Sequence, residues 1–104
     1  MDGMIEYKEC RYKLSYTPEI IEVVEKILGY SIIGSIMQNQ AMIQLSACKY
    51  MFIYGLMDIE GKRVSETKAQ EIWNATLNDL GYEKVVALIL LAFNRDCPFF
   101  FQQN

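Results

Sequence analysis

The predicted fold is organised around residues 41–57, which have the sequence AMIQLSACKYMFIYGLM. At helical spacing their apolar side chains cover nearly the whole circumference of a helix, which is typical of a central core helix or a membrane span. A span needs about 20 apolar residues, and a charge such as that of Lys49 in mid-membrane costs at least about 2.5 kcal/mol. The stretch therefore predicts a central helix that is almost inaccessible to solvent, with Leu45 and Ile53 in the core.

The composition predicts one small domain over 1–104. The chain has 104 residues, of which 52% are hydrophobic, 13 are acidic and 10 are basic, for a net charge of −3. This is enough apolar material for one packed core. No basic run exceeds the pair Lys62–Arg63, so the electrostatic pattern of a nucleic-acid binder is missing. We expect neither nucleic acid nor a membrane as partner.

The cysteines and the N-terminal sequence indicate a reducing compartment. Cys10, Cys48 and Cys97 are far apart in the chain, and there is no histidine. This spacing fits no zinc-ligand motif, so we predict three buried free thiols and no metal or other cofactor. The sequence MDGMIEYKEC lacks the basic and apolar segments of a secretory signal. The cytoplasm is the expected location.

Residues 4–16 have the alternating pattern of β-structure. Ile5 and Tyr7 are apolar in the opposite phase to the residues from 10 to 16. This change of phase predicts a turn or bulge near Lys8–Glu9, hence a short hairpin or a kinked strand. A two-stranded hairpin is barely stable alone, so its apolar face must pack on a helix or on another subunit. The predicted half-buried face comprises Cys10, Tyr12, Leu14 and Tyr16.

The region 18–94 is the predicted helical core. Thr17–Pro18 supplies an N-cap and a first helical residue, and Gly29 is placed to end this helix. Its predicted apolar stripe comprises Ile20, Ile21, Val23, Val24, Ile27 and Leu28. Its acidic residues, Glu19, Glu22 and Glu25, are a solvated face or, less commonly, a ligand face. The next segment, 31–38, predicts a turn of helix or a connector.

The rest of the core follows the central helix. DIEGKR (58–63) predicts a polar loop, and the next helix has Ser65 or Thr67 as its cap and Gly81 at its end. A last helix from about Glu83 to Asn94 contains the apolar run VVALILLAF (85–93), which is too short to cross a bilayer. The predicted fold class is mainly α: a small helical domain of four to five helices with a short N-terminal β-hairpin.

No residue pattern indicates catalysis, and aromatic residues are the notable excess. A hydrolase triad without histidine would need another base, and no Gly-rich phosphate loop is present, so the expected role is non-enzymatic. Buried tyrosines need a partner for the hydroxyl, so Tyr50 and Tyr54, one turn apart, are expected at a boundary or an interface. Three consecutive phenylalanines cannot all face one core, so the 97–104 tail either exposes at least one in a contact site or folds back over the final helices. The candidate partner contacts are Phe99, Phe100, Phe101, Tyr50 and Tyr54.

In order of segments, the chain resembles the small tail assembly chaperones of long-tailed bacteriophages, especially those of phages and prophages of Gram-positive bacteria. The resemblance lies first in EYKECRYKLSYTPEIIEVVEKILGYSI (6–32), with a hairpin, an aromatic-x-Leu strand and a helix ending in Glu-Lys-x-Leu-Gly at 25–29. The rest is architectural: a long apolar helix, a polar loop, a helix after Val-Ser, and a final apolar helix ending in aromatics. One departure is the turn, where the family often has Asn-Gly and this chain has Lys8–Glu9.

The resemblance implies a non-enzymatic partner-binding role in the cytoplasm of a bacterial host cell. Such chaperones coat the tape measure protein during tail morphogenesis and yield to the tail tube protein. They self-associate, and a homo-oligomer is expected here through the hairpin or the last helix. Many have a longer form made by a translational frameshift, and Phe99–Phe100–Phe101 would suit a slippery message. The alternative is a helical protein–protein interaction module of another origin, such as a small regulatory or viral adaptor protein.

Overall fold

The computed structural model describes residues 4–34 and 44–100. They confirm the predicted class, a mainly α domain with a short N-terminal hairpin, and add a third strand. The helices are α1 (Pro18–Leu28), α2 (Leu45–Gly55), α3 (Glu66–Leu80), α4 (Tyr82–Asp96) and a 3-10 helix (Pro98–Phe100), and residues 32–34 are also helical. The antiparallel sheet has the order β1 (Ile5–Tyr7), β2 (Cys10–Leu14), β3 (Leu56–Asp58).

The N-terminal segment is a tight hairpin rather than a kinked strand. Tyr7 lies opposite Cys10, so only Lys8 and Glu9 form the loop. Both have positive φ, 48° and 67°, as a type I′ turn requires at its two central positions. For side chains other than glycine this conformation costs roughly 1–2 kcal/mol per residue. Pairing of the strands and packing of their inner face offset that cost.

The central helix ends earlier than its apolar sequence predicts. Leu56 and Met57 were expected in the helix, and this was wrong, because both belong to β3. Leu56 pairs with Leu14 of β2, so its backbone takes part in the sheet instead of a further helical turn. Pairing between distant segments overrides the local helical pattern here. Residues 41–43 of the predicted helix lie outside the described residues.

Most of α2 is buried, as predicted, but one side is open. Its fully buried side chains include Met51 and Phe52, while Ile53 is only 5% exposed. Leu45 is 55% exposed, so its placement in the core was wrong. Leu45 lies one turn before the half-buried Lys49, on the same face of the helix. That lysine marks the side of α2 that faces solvent.

The helix ends are set by local caps. The Thr17 hydroxyl accepts a hydrogen bond from the Ile20 N–H at 3.3 Å, and Gly29 ends α1 at a φ of 81°. For α3 the cap is Ser65 rather than Thr67, since the Ser65 hydroxyl accepts from the Lys68 N–H at 3.3 Å. Each cap satisfies one of the N–H groups that have no partner inside the helix.

The apolar stripe predicted on α1 is only partly in the core. Ile21 and Val24 are buried, whereas Val23 and Ile27 are each 44% exposed. The expectation for the latter two was therefore wrong. A stripe of six residues is wider than the arc of a helix that one packing face covers. The surplus apolar side chains of α1 consequently lie on its outer side.

The acidic residues of α1 are not all solvated. The Glu25 carboxylate accepts a hydrogen bond from the Ile32 N–H at 2.7 Å, which corrects the prediction that Glu25 faces water. Ile32 is fully buried and is the first of the helical residues 32–34. The N–H groups at the start of a helix have no partner within the helix, so the Glu25 carboxylate supplies the partner for that of Ile32. The remainder of the 31–38 segment, from residue 35, lies outside the described residues.

The last long helix, α4, is slightly longer than predicted and mostly buried. Its core side chains are Val85, Val86, Leu88, Ile89, Ala92 and Phe93. Within the apolar run, Ala87 and Leu91 are exposed, Leu91 by 68%, and Leu90 is half-buried. The helix ends at Cys97–Pro98, as expected, because proline cannot continue it. The chain then enters the 3-10 helix that contains Phe99 and Phe100.

Candidate functional site

The two predicted tyrosines lie together at the domain boundary. The rings of Tyr50 and Tyr54 stack with their centroids 6.4 Å apart, and both are half-buried. The Tyr54 hydroxyl donates a hydrogen bond to Glu66 Oε1 at 3.0 Å. Burial, followed by this bond to Glu66, raises the pKa of Tyr54. The hydroxyl therefore has the polar partner that a half-buried tyrosine needs.

The two tail phenylalanines that the structure describes, Phe99 and Phe100, differ in exposure. Phe100 is half-buried, with its ring centroid 5.9 Å from that of Phe93 on α4. Phe99 contacts Phe100 at 4.6 Å between centroids and remains 51% exposed. The tail thus folds back onto α4 through one ring and exposes the next, which confirms that at least one phenylalanine is exposed. Phe101 lies outside the described residues.

A group of apolar and aromatic side chains, which we call the α1–α2 patch, lies on the helices α1 and α2. It consists of Ile20, Val23 and Ile27 on α1 and Tyr50 and Tyr54 on α2. A shallow cavity of about 170 Å³ has Glu19, Ile20, Val23 and Tyr54 as its lining. Ile27 lies one turn beyond Val23, and Tyr50 stacks on Tyr54. The sequence analysis assigned the α1 part to the core, although the excessive width of the stripe was a signal that some of it is exposed.

The two helices of the patch run in opposite directions. At one end the start of α1 meets the end of α2, because Ile20 and Tyr54 share the cavity. At the other end, the Tyr30 hydroxyl donates to Gln44 Oε1 at 3.1 Å, just after α1 and just before α2. The patch therefore has two distinct ends, each formed by one terminus of each helix.

Charged side chains differ between the two ends of the patch. Glu19 lines the cavity, Glu66 binds the Tyr54 hydroxyl, and Glu22 is exposed one residue before Val23. Toward the other end, Lys26 is exposed beside Ile27, and the Lys49 ammonium lies 5.9 Å from the centroid of the Tyr50 ring. One end is acidic and the other is basic.

A larger cavity lies elsewhere, between the hairpin and the segment that leads into α3. It has a volume of about 530 Å³. Several polar groups along it take part in the fold. Asp58 Oδ1 accepts hydrogen bonds from the N–H groups of Glu60 and Lys62 at 2.9 and 3.0 Å. Arg63 donates to the carbonyl oxygens of Ser15 and Gly55 at 2.9 and 3.0 Å. These residues stabilise the sheet and its loop.

A polar cluster that the sequence analysis missed holds the connection between β2 and α1 against α4. The Tyr16 N–H donates to Asp96 Oδ2 at 2.9 Å, and Arg95 Nη2 donates to the Leu14 carbonyl at 2.7 Å. Arg95 also binds Asp96 directly, which lowers the pKa of that carboxyl. These partners are about 80 residues apart in the chain, so no local pattern could have revealed them.

The cysteines differ in exposure. Cys48 and Cys97 are buried as predicted, but Cys10 is exposed, so the prediction for it was wrong. Cys10 lies next to the hairpin turn, opposite Tyr7, at the end of β2 where the burial of the strand begins to fall off. Burial raises the pKa of the Cys48 thiol to about 12, which keeps it in the neutral form that is neither nucleophile nor metal ligand. Within the described residues, no cluster of three or more acidic or cysteine side chains could bind a metal ion.

Comparison with models of known protein families, with curated proteins and with solved structures finds no match for this chain. Over residues 4–34 and 44–100, no helix combines the length and apolar character that a bilayer crossing requires.

Proposed function

We propose that the protein is a non-enzymatic tail assembly chaperone of a long-tailed bacteriophage or prophage, acting in the cytoplasm of its bacterial host. It would bind and shield the tape measure protein until tail tube subunits replace it. The proposal draws on the sequence resemblance over 6–32 and on the order of the helical segments. The observation that carries it is the set of large apolar side chains that are exposed on the described residues.

That surface is distributed over several elements of a small domain. Large hydrophobic side chains that are at least 44% exposed occur on α1, α2, α4, the loop after β3 and the 3-10 helix; they are Val23, Ile27, Leu45, Ile59, Leu91 and Phe99. Single exposed apolar residues are normal in any protein, whereas clusters of them mark contact sites. A chaperone that holds an amphipathic helical client needs such apolar area.

The candidate client contact is the aromatic end of the chain. Phe99 is 51% exposed. Its ring contacts Phe100, which in turn packs on Phe93 of α4. An exposed aromatic ring on a rigid support provides large contact area at little entropic cost. Phe101 is the third member of the predicted contact and lies outside the described residues.

Co-expression tests this proposal. The open reading frames beside the gene are expected to encode a tail tube protein upstream and a very long tape measure protein downstream. The tape measure protein is expressed alone and together with this chain, and its soluble fraction is measured. We expect the chain to raise that fraction, and Phe99→Gln to reduce the effect relative to an Asn78→Gln control, which changes an exposed polar side chain outside this surface. A tape measure protein that is equally insoluble with and without the chain would refute the proposal.

A helical protein–protein interaction module of another origin is the second candidate. It is favoured by the same exposed apolar side chains, which specify binding and not the identity of the partner. Gene order separates the two candidates. Absence of both tail genes from the neighbourhood would favour the adaptor, whose partner would then be sought by cross-linking in the native cell.

A further inference from the structure

We infer that the α1–α2 patch is a self-association surface, on which a second copy of the chain docks about a twofold axis that sets α1 and α2 against the same helices of the partner. This places the interface on neither the hairpin nor the last helix. It also goes beyond the proposed function, because it concerns how copies of the chain recognise one another.

The shape of the patch suits another helix pair. Val23 and Ile27 form a ridge one turn apart on α1 and are each 44% exposed. Beside them, the stacked rings of Tyr50 and Tyr54 form a parallel ridge on α2. The cavity of about 170 Å³ between Val23 and Tyr54 offers a hole into which an apolar side chain of a facing helix can insert. Two antiparallel helix pairs packed in this way form a four-helix layer.

The charges decide which occupant the patch fits. Glu19 lines the cavity, Glu66 binds the Tyr54 hydroxyl beside it, and Glu22 follows Glu19 by one helical turn, whereas Lys26 and Lys49 lie toward the other end. A twofold axis through the middle of the patch, perpendicular to the helices, brings the acidic end of one copy over the basic end of the other. Both pairings then form at once, since a twofold interface is made of the same surface on each side. The patch is electrostatically complementary to itself.

The same charges disfavour other occupants. A helix with uniformly basic flanks would meet Lys26 and Lys49, and one with acidic flanks would meet the three glutamates. A second copy in the parallel orientation would set like charges against each other at both ends. The antiparallel second copy avoids all of these contacts.

The first experiment measures association directly by analytical ultracentrifugation over a range of concentrations. We expect the wild-type chain to form a dimer, and Val23→Gln/Ile27→Gln to raise its dissociation constant by at least roughly tenfold, as loss of central apolar anchors does. The matched control is Ile59→Gln, which removes an apolar side chain that is 59% exposed outside the patch and should change the constant by less than about twofold. A strictly monomeric wild type, or equal effects of both variants, would overturn the inference.

The second experiment is a charge swap that damage to the fold cannot mimic. Glu19→Lys/Glu22→Lys makes both ends of the patch basic, and Lys26→Glu/Lys49→Glu makes both ends acidic. Each variant alone should dissociate, whereas an equimolar mixture of the two should associate again as a heterodimer. Circular dichroism of each variant checks that it is folded. A mixture that stays monomeric would show that the twofold antiparallel arrangement is wrong.

Discussion

The hydroxyl of Tyr16 donates a hydrogen bond to the backbone carbonyl of Met51 at 2.8 Å, joining the end of the hairpin to the central helix across 35 residues of the chain. The ring of Tyr16 lies against the last turn of that helix, at Gly55. A Cβ atom added at Gly55 would come within 2.6 Å of Tyr16 Cζ. Glycine is required at position 55 because an aromatic ring occupies the space that a side chain would need.

Gly55→Ala is predicted to destabilise the protein. The new methyl group must displace a ring that is 3% exposed and hydrogen-bonded, and overpacking of this kind costs roughly 1–3 kcal/mol of unfolding free energy. Urea denaturation followed by circular dichroism measures it. Gly34→Ala is the control, because the nearest atom to its Cβ would be 3.4 Å away. Equal stability of the two variants would show that Tyr16 does not pack on Gly55.

A pair of substitutions on α2 distinguishes its buried side from its open side. Ile53→Ala should cost roughly 2–5 kcal/mol, because a side chain that is 5% exposed leaves a cavity when truncated. Leu45→Ala should cost less than about 1 kcal/mol, since Leu45 is 55% exposed. The free energies of unfolding come from the same denaturation experiment. A large loss at Leu45 would place that side chain in an interface or in the core.

The three thiols should react at very different rates. An aromatic disulfide reagent is expected to modify Cys10 rapidly in the folded protein, because Cys10 is exposed while Cys48 and Cys97 are buried. Unfolding in urea should expose Cys48 and Cys97 to the reagent. Cys10→Ser should abolish the fast phase and leave the slow phases unchanged. A fast phase that persists in this variant would mean that a second thiol is accessible in the folded state.

Stability should depend on pH through Cys48. Its pKa is about 12 in the folded protein and about 8.5 in an unfolded chain. The unfolded state therefore loses this proton first, and the free energy of unfolding falls as the pH rises above about 8.5. The difference in stability between the wild type and Cys48→Ala, measured from about pH 7 to about pH 10, should shift in favour of the variant. A difference that does not change with pH would show that the Cys48 thiol titrates normally.

The gene sequence provides a further prediction, which rests on the proposed function. Phenylalanine is encoded only by UUU or UUC, so Phe99–Phe100–Phe101 restricts the message to three UUY codons. If the first two are UUU, paired tRNAs can slip back one base and still pair, as the frameshifted longer form of the resembled family needs. Mass spectrometry of the native gene expressed with its downstream overlap would detect the longer product. UUC at Phe99 and Phe100, without an open overlapping frame, would exclude it.

Features that depend on neighbours a few residues away in the chain could be predicted from the amino-acid sequence alone. Thr17 and Gly29 fix the ends of α1 because a cap acts within one helical turn. The change of phase after Tyr7 located the turn at Lys8–Glu9, since alternation along a strand specifies which face is buried. The boundary position of Tyr50 and Tyr54 likewise follows from the chemistry of their hydroxyls.

Which apolar side chains lie in the core depends on the packing of distant elements and not on the local sequence. Val23 and Ile27 have the same helical pattern as the buried Val24, and Leu56 continues the pattern of α2. The exposure of Val23 and Ile27 and the strand pairing of Leu56 both depend on elements that are distant in the chain. The hydrogen bond from the Tyr16 N–H to Asp96, across 80 residues, depends on such an element too. Local periodicity predicts on which face of a helix an apolar residue lies. Whether that face is buried depends on which other segment of the chain covers it. This chain has more apolar side chains than its core can cover, so packing between elements determines which of them are buried.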